Sequence, residues 1–396
     1  MELNLNQPDF FQNPYPYYAR IRAAGKPFWL PHTQNTTSNG LWLFSRYADA
    51  LTIFREVTAV SKNIRSVRTP GTSTPFDLIM LIRDAPDHLR LRRLVADYLS
   101  AQYLDQLEPH IALVADALIL ELQGRTRIDL IADFAGQLPL RVIAHLVGVP
   151  VSDLPQIRAW SLVLADGFDS VLASDEILLK QHSALLAFLS YVEQLIAVKH
   201  RAPADDLLGF LVNAEAEGKI QRDELIGMVS FLVFAGHETI INLIGNGLWL
   251  LLSHPEQWAL LREQPELMPG AVEEILRFES PEQRTTFRIA VEPMELAGMR
   301  LEPGQQLGII IGAANRDETE FPDPDRFDIR RTPNRHLAFG VGLHNCLGKT
   351  LARLEARIAL DRMLALCPAL HLLNERPQWR RNSFFRGLEA LPATLG

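Results

Sequence analysis

The residue whose type and position most clearly suggest chemistry is Cys346. It lies in the string FGVGLHNCLG, residues 339–348, between a glycine-rich turn and a run of apolar residues at helical spacing. At a helix start, the unpaired backbone N–H groups of Leu347 and Gly348 can donate to sulfur, and the helix dipole lowers the pKa of a thiol. The loop therefore predicts a thiolate at Cys346.

The glycines of this loop, at positions 340, 342 and 348, would let a flat ligand lie against the backbone, where a Cβ would obstruct it. The string is not a dinucleotide-binding fingerprint, because Asn345 stands where the third glycine would be. The alternative interpretation is a buried structural cysteine beside a turn.

A second candidate site lies in the middle of the apolar stretch 225–252. The stretch is long enough to span a bilayer, but Glu238 at its centre would be costly in lipid. We therefore predict a buried helix in a protein core. An unpaired carboxylate in a core is also costly, so Glu238 beside Thr239 indicates function rather than packing.

The elements that must position these groups are mainly helical. Residues 28–30 and 41–45 have the composition of strands, and 285–312 contains short β-like runs with turn signals at 297–298 and 303–304. Residues 87–252 show apolar spacing of three and four, and a last helix is predicted from Cys346 to Leu366. The predicted fold class is mainly α with a minor β portion, a large helical body plus a small β-sheet lobe.

Composition excludes several classes of protein. The 396 residues are 47% hydrophobic and 22% charged, unlike a disordered chain. A net charge of −8 is the opposite of a nucleic-acid footprint, so we expect no nucleic-acid partner. Two cysteines are too few for a disulfide scaffold and lack the spacing of structural zinc. The low cysteine count fits a reducing cytoplasm, and residues 1–9 show no signal pattern, so we expect a cytoplasmic protein without a membrane anchor. We also expect a monomer.

The loop around Cys346 matches every fixed position of Phe-(Gly/Ser)-x-Gly-x-(His/Arg)-x-Cys-x-Gly. With this loop the chain resembles the cytochrome P-450 family of haem-thiolate monooxygenases, and is most similar to the soluble bacterial members. The resemblance extends from the Asn-Pro-Tyr at 13–15 to the Arg-Gly-Leu at 386–388. It implies a cytochrome P-450 fold in which residues 1–396 form a single domain. It also implies haem b as cofactor, with Cys346 as the iron ligand, since thiolate ligation favours O–O cleavage.

The resemblance assigns further roles by position. Phe339 would pack by the sulfur, Gly348 and Ala235 would lie against the haem, and the haem propionates would be held by His88, Arg92, Arg288, His336 and His344. Above the haem, Gly236 would leave room for dioxygen, Thr239 would hold it with ordered water, and Glu238 would relay protons. A buried structural cluster would join Glu274, Arg277 and Arg326; without the resemblance, the 274/277 pair is a weak signal.

Partners and substrate follow from the same resemblance. The substrate would be a lipophilic small molecule of secondary metabolism, bound by segments that include Leu232, Thr286, Phe384 and Phe385. Electrons would come from a separate ferredoxin and ferredoxin reductase, steered to a basic face with Arg92, Arg93, Lys349 and Arg353. Lys62, Arg65 and Arg68 favour a solvated surface over a site for an acidic group. The alternatives are a haem-based ligand sensor, which would not need the 238/239 pair, and a catalytically silent binding protein.

Overall fold

Helices dominate the computed structural model, in which residues 5–31, 39–63, 74–169, 174–374 and 376–395 are described. The α-helices are α1 (Pro8–Gln12), α2 (Tyr15–Ala23), α3 (Tyr47–Arg55), α4 (Asp87–Tyr98), α5 (Ala101–Leu122), α6 (Leu138–Val147), α7 (Leu154–Gly167), α8 (Asp175–Arg201), α9 (Leu207–Ala216), α10 (Arg222–Ser253), α11 (Pro255–Glu263), α12 (Met268–Phe278), α13 (Ile311–Ala314) and α14 (Lys349–Leu366). Short 3₁₀ turns and a π-helix (Leu130–Ala135) connect them. The predicted mainly helical body is confirmed.

The longest helix, α10, crosses the centre of the helical body. It begins with a capping box in which Gln221 and Glu224 each bond the other's backbone N–H. It contacts α6, α8, α12 and α14, so its apolar residues face neighbours on several sides. The stretches long and apolar enough to cross a membrane, Leu130–Val147 and Arg222–Ser253, are mostly buried inside the protein. The prediction of a buried core helix is confirmed.

The β portion is a small lobe. Its strands are β1 (Phe28–Pro31), β2 (Gly40–Phe44), β3 (Val60–Ser61), β4 (Ile128–Asp129), β5 (Arg288–Ala290), β6 (Met294–Leu296), β7 (Met299–Leu301), β8 (Gln306–Ile309), β9 (His371–Leu372), β10 (Gln378–Trp379), β11 (Leu388–Ala390) and β12 (Pro392–Thr394). The largest sheet has the order β1-β2-β8-β5-β3, with β2 parallel to β8. The predicted strands near 28–30 and 41–45 and the turn at 297–298 are therefore confirmed.

The cysteine loop lies between the helical core and the sheet lobe. Phe339 and Leu347 pack against the helical core, whereas Val341 packs against the apolar cluster of the lobe. The last helix begins at Lys349, three residues later than predicted. The later start has a local cause. Gly340 and Gly342 have positive φ, and the Cys346 N–H donates to Phe339 O at 2.8 Å, which closes the loop before the helix begins.

Candidate cofactor and active site

The environment of Cys346 combines exposure of the residue with local desolvation of its sulfur. A Cβ at Gly342 would come within 2.6 Å of Phe54 O, so this glycine allows the loop to approach the lobe. A Cβ at Gly348 would meet no atom within 4 Å. The backbone beside the sulfur is therefore open on the side where a flat group would lie.

The pKa of the Cys346 thiol differs from the sequence prediction. Burial and the nearby Glu282 raise it to about 11, and the backbone N–H of Gly348 and the charges of Arg92 and Arg353 lower it by less. The expected depression by the helix start is wrong, because desolvation outweighs hydrogen bonding here. A bound metal cation would supply the charge that this thiolate needs.

Two basic residues of α4 hold the cysteine loop directly. The rings of His88 and His344 lie 4.0 Å apart, and Nε2 of His88 contacts Leu343 O at 3.1 Å. Arg92 donates from Nη1 to Asn345 O at 2.8 Å. The i, i+4 spacing of 88 and 92 thus places both side chains on the same loop.

Two further basic groups near this loop have polar atoms without a partner. Nη1 of Arg288 and Nδ1 of His344 are buried and make no hydrogen bond to the residues that the structure describes. Arg288 is 5% exposed and its guanidinium lies over the Phe54 ring. Burial, with His88, Lys62, Arg288 and Arg92 nearby, lowers the pKa of His344 to about 2. Positive charge is concentrated here, which suits an anionic ligand.

The fifth predicted propionate ligand, His336, is engaged elsewhere. Its Nε2 lies 3.0 Å from Glu273 Oε2, and Arg353 donates two hydrogen bonds to the same carboxylate at 2.6 and 2.8 Å. Burial opposes ionisation of Glu273, but Arg353 and His336 outweigh it and lower its pKa to about 2. The guanidinium of Arg353 also lies over the Phe339 ring at 4.5 Å. Arg353 is thus part of the support behind the loop.

One face of α10 is less buried than the rest. Leu232, Ala235, Gly236 and Thr239 are partly exposed at intervals of one helical turn, although most of the helix around them is buried. The hydroxyl of Thr239 donates to Ala235 O at 3.1 Å. Its lone pairs stay available to accept a hydrogen bond. The face can therefore line a cleft.

The contacts of Glu238 and Gly236 on α10 were not evident from the sequence. Glu238 is fully buried but is not unpaired, because Arg158 of α7 and Arg380 both bind its carboxylate. Burial disfavours its charge, yet the two guanidiniums outweigh burial and lower the pKa of Glu238. A Cβ at Gly236 would come within 2.7 Å of Ile143 Cδ1, so this glycine also allows α10 to lie close to α6.

Arg158 and Arg380 also line a surface groove of about 1260 Å³ on the outer side of Glu238. Arg380 makes a second, longer ion pair to Asp166 at 3.5 Å. The groove gives solvent a path to the two guanidiniums that cover the buried carboxylate. Glu238 is therefore separated from bulk water by two arginine side chains.

The structural cluster forms with a different third member. Arg277 donates to both oxygens of Glu274 at 2.7 and 2.8 Å, and both side chains are fully buried. Arg331 donates to Glu274 Oε1 at 3.2 Å. The expectation that Arg326 completes the cluster is wrong, because its side chain is 68% exposed and lies near Asp328. Arg326 contributes its carbonyl oxygen instead, which accepts from Arg277 Nη2 at 3.1 Å.

The predicted substrate residues have different surroundings. Leu232 and Thr286 are partly exposed. Phe384 and Phe385 are 5% and 3% exposed and pack edge to face, in an aromatic cluster with Phe168 and Phe234. These two rings are therefore surrounded mainly by other aromatic rings. Arg65 and Arg68 lie outside the described residues.

Comparison with known proteins identifies the family. The family model described as Cytochrome P450 matches residues 176–368. The chain is 40% identical to Cytochrome P450 107B1 of Saccharopolyspora erythraea, with 98% of this chain and 96% of the relative covered. This chain belongs to the cytochrome P450 family. It is 39% identical to Cytochrome P450 monooxygenase PikC of Streptomyces venezuelae, over 99% of this chain and 93% of PikC. The crystal structure of myxobacterial cytochrome P450 CYP267B1 in complex with myristic acid is similar with a TM-score of 0.92 at 38% identity, covering 99% and 98% of the two chains.

Cytochrome P450 proteins are oxygen-incorporating oxidoreductases that bind haem b, dioxygen, a substrate and redox partners. The residues around Cys346 fit that cofactor. The thiol is an accessible soft ligand for iron, and the backbone at Gly348 is open beside it. The unpartnered Nη1 of Arg288 offers a donor to a carboxylate group.

Sequence reasoning missed Arg158, Arg331 and the burial of Lys62. Arg158 and Arg331 carry no local signal, since their partners are 80 and 57 residues away. Lys62 was expected on a solvated surface, but it is 4% exposed. The one available signal was its place after the short run 57–60 of strand-forming residues, whose last residue, Val60, pairs with Ala290 of β5.

Proposed function

We propose that this cytochrome P450 inserts one oxygen atom from dioxygen into a lipophilic small molecule, by hydroxylation or epoxidation, and receives electrons from a separate ferredoxin and ferredoxin reductase. The observation that carries the proposal is the accessible thiol of Cys346 beside the unpartnered basic groups of Arg288 and His344. A haem-based sensor would not need an acid and an alcohol in adjacent positions of the central helix.

In this proposal Cys346 holds the haem iron, and Arg288 and His344 face the haem carboxylates. His88 and Arg92 act on the loop that carries the thiol, since both already contact its carbonyl groups. His336 supports the loop indirectly, because it binds Glu273, which also binds Arg353. Bound haem supplies the reductive activation of dioxygen. The protein residues bind, orient and deliver protons.

Proton delivery is assigned to two residues of α10. Glu238 is held ionised by Arg158 and Arg380, so it can accept a proton from the solvent groove when these arginines move. Thr239 presents a hydroxyl that donates to Ala235 O and accepts from water in the cleft. Ala235 supplies the carbonyl that orients this hydroxyl.

Replacing Thr239 with alanine is expected to uncouple the reaction. Without the Thr239 hydroxyl, proton delivery to bound dioxygen is no longer oriented. Reductant is then consumed to form hydrogen peroxide instead of organic product. The measurement is the ratio of organic product to reductant consumed, with peroxide quantified in parallel and haem content unchanged. The Thr239→Ser variant keeps the hydroxyl and should stay close to wild-type coupling. An equally well coupled Thr239→Ala enzyme would remove Thr239 from the mechanism.

The substrate is proposed to be lipophilic because the partly exposed residues next to Thr239 on α10, Leu232, Ala235 and Gly236, are apolar or small. The solved relative in complex with myristic acid supports this class. The similarity to Polyketide biosynthesis cytochrome P450 PksS of Bacillus subtilis, at 35% identity, supports a place in secondary metabolism. Leu232 and Thr286 would contact the substrate, with Phe384 and Phe385 as the aromatic layer behind them. Spectral titration of the haem protein with a lipophilic library tests this class.

We also infer that residues 1–396 act as one domain, since β2 pairs with β8 and β4 with β12 across the length of the chain. Both cysteines are free, which suits the reducing cytoplasm. We propose a monomer. A single sedimentation species at the monomer mass would support it, and a dimer would contradict it.

The proposed ferredoxin would dock on the basic face near the cysteine loop. Arg353 is a poor test of docking because its guanidinium binds Glu273. Arg93 is exposed on α4 next to Arg92, so its reversal leaves the loop contacts intact. Arg93→Glu should slow reduction by a surrogate ferredoxin at low salt, with a smaller effect at high salt. An unchanged rate across ionic strength would contradict docking at this face.

A further inference from the structure

A buried lysine next to the proposed haem site is not explained by the roles above. Lys62 follows β3, is 4% exposed, and donates from Nζ to the hydroxyl of Thr286. An ammonium group has three hydrogen-bond donors. Among the described residues, the ammonium of Lys62 has a single hydrogen-bond acceptor, the Thr286 hydroxyl. A buried cation without a counter-charge is costly.

The lysine also faces another buried cation. The antiparallel β3–β5 register ends with Ser61 opposite Ile289, and its continuation by one residue would bring Lys62 opposite Arg288, whose charge acts on Lys62. Like charges directly opposite on neighbouring strands are destabilising. Burial and the charge of Arg288 lower the pKa of Lys62 well below its usual value. The arrangement is stabilised when an anion binds to both groups.

The acids near Lys62 do not supply that anion. The carboxylate of Asp84 accepts from Ser61 Oγ and from the backbone N–H of Lys62 at 2.9 Å, so it is bound to the strand rather than to Nζ. Glu282 acts on the charge of Lys62, but within the described ranges the two form no ion pair, and burial raises the pKa of Glu282 to about 7. The undescribed segment 64–73 contains no Asp or Glu.

We propose that Lys62, together with the hydroxyl of Thr286, binds a carboxylate beside Arg288. The inference rests on the proposed haem site, and the carboxylate has two possible sources. One is a haem propionate, for which Lys62 would be an additional cation. The other is the carboxylate of an amphiphilic substrate, for which Lys62 would set specificity.

Two binding measurements on holoprotein separate these sources. In the first, the protein is reconstituted with haem or with haem dimethyl ester, and release to excess apomyoglobin is timed. In the second, Kd values for myristic acid and methyl myristate are measured by spectral titration. The variants are Lys62→Met, Lys62→Arg, and Lys180→Met as control, because Lys180 is exposed on α8 and pairs with Glu176.

If Lys62 binds a propionate, Lys62→Met should speed release of haem by about tenfold and leave release of the dimethyl ester unchanged. If it binds the substrate, Lys62→Met should raise the Kd of myristic acid by about tenfold and not that of the ester. In whichever of the two measurements Lys62→Met has an effect, Lys62→Arg should keep the wild-type preference for the free carboxylate over its ester. If Lys62→Met does not accumulate, Lys62→Gln replaces it under the same criteria.

The proposal is overturned if the neutral Lys62 variant matches Lys180→Met in both arms, or if Lys62→Arg loses as much as the neutral variant does. These outcomes are distinct from failure of the proposed function. Wild-type protein that binds no haem would contradict the haem site itself. If wild type and the Lys62 variants all bind haem and do not differ in haem release or in Kd, only the role of Lys62 is contradicted.

Discussion

Replacing Glu274 with alanine is expected to prevent accumulation of soluble, haem-loaded protein. Glu274 and Arg277 are both fully buried, and the carboxylate also accepts from Arg331, from Asn334 and from the backbone N–H of Asp328. Its removal leaves the buried guanidinium of Arg277 without a counter-charge. Breaking such a pair costs about 3–5 kcal/mol, a large part of the ~5–15 kcal/mol that stabilises a typical domain.

The measurements are haem content per soluble protein and the urea midpoint of unfolding. Matched variants test the identity of the third member of the cluster. Arg331→Ala should cost about 1–3 kcal/mol, because it removes a charged hydrogen bond to Glu274. Arg326→Ala should stay within about 0.5 kcal/mol, because its side chain is exposed. A stable, haem-loaded but inactive Glu274→Ala protein would contradict the structural role.

Local patterns were sufficient to predict the main elements of the fold. The apolar run of α10 is long enough that only a buried helix or a membrane span could accommodate it, and its central acid excluded the second. The strands at the start of the chain are bounded by polar turn residues. The string around Cys346 is specific because a thiol, three glycines and a helix start have to occur at fixed spacing.

Features that depend on partners distant in sequence could not be predicted. The carboxylate of Glu238 was expected to be unpaired, but the fold brings Arg158 and Arg380 to it from 80 and 142 residues away. Arg326 and Arg331 lie in the same irregular segment, and the direction of each side chain depends on the turns between them. The pKa of Cys346 depends on how much protein surrounds the sulfur, which the loop sequence does not encode.

Replacing Cys346 with alanine is expected to abolish thiolate ligation of haem. Cys346 is the exposed cysteine of the loop, whereas Cys367 is 2% exposed and follows the last residue of α14. The cations around the loop are unchanged in Cys346→Ala, so this variant can retain haem without retaining its ligand. Cys367→Ala is the matched control, and its haem content and spectrum should equal those of the wild type.

The absorbance spectrum of the reduced protein with carbon monoxide tests the central claim most directly. The wild type and Cys367→Ala should both show the red-shifted Soret band of a thiolate-ligated haem. Cys346→Ala should lack that band. A wild-type protein without the band, or a Cys346→Ala protein that keeps it, would contradict the assignment of Cys346 as the haem ligand.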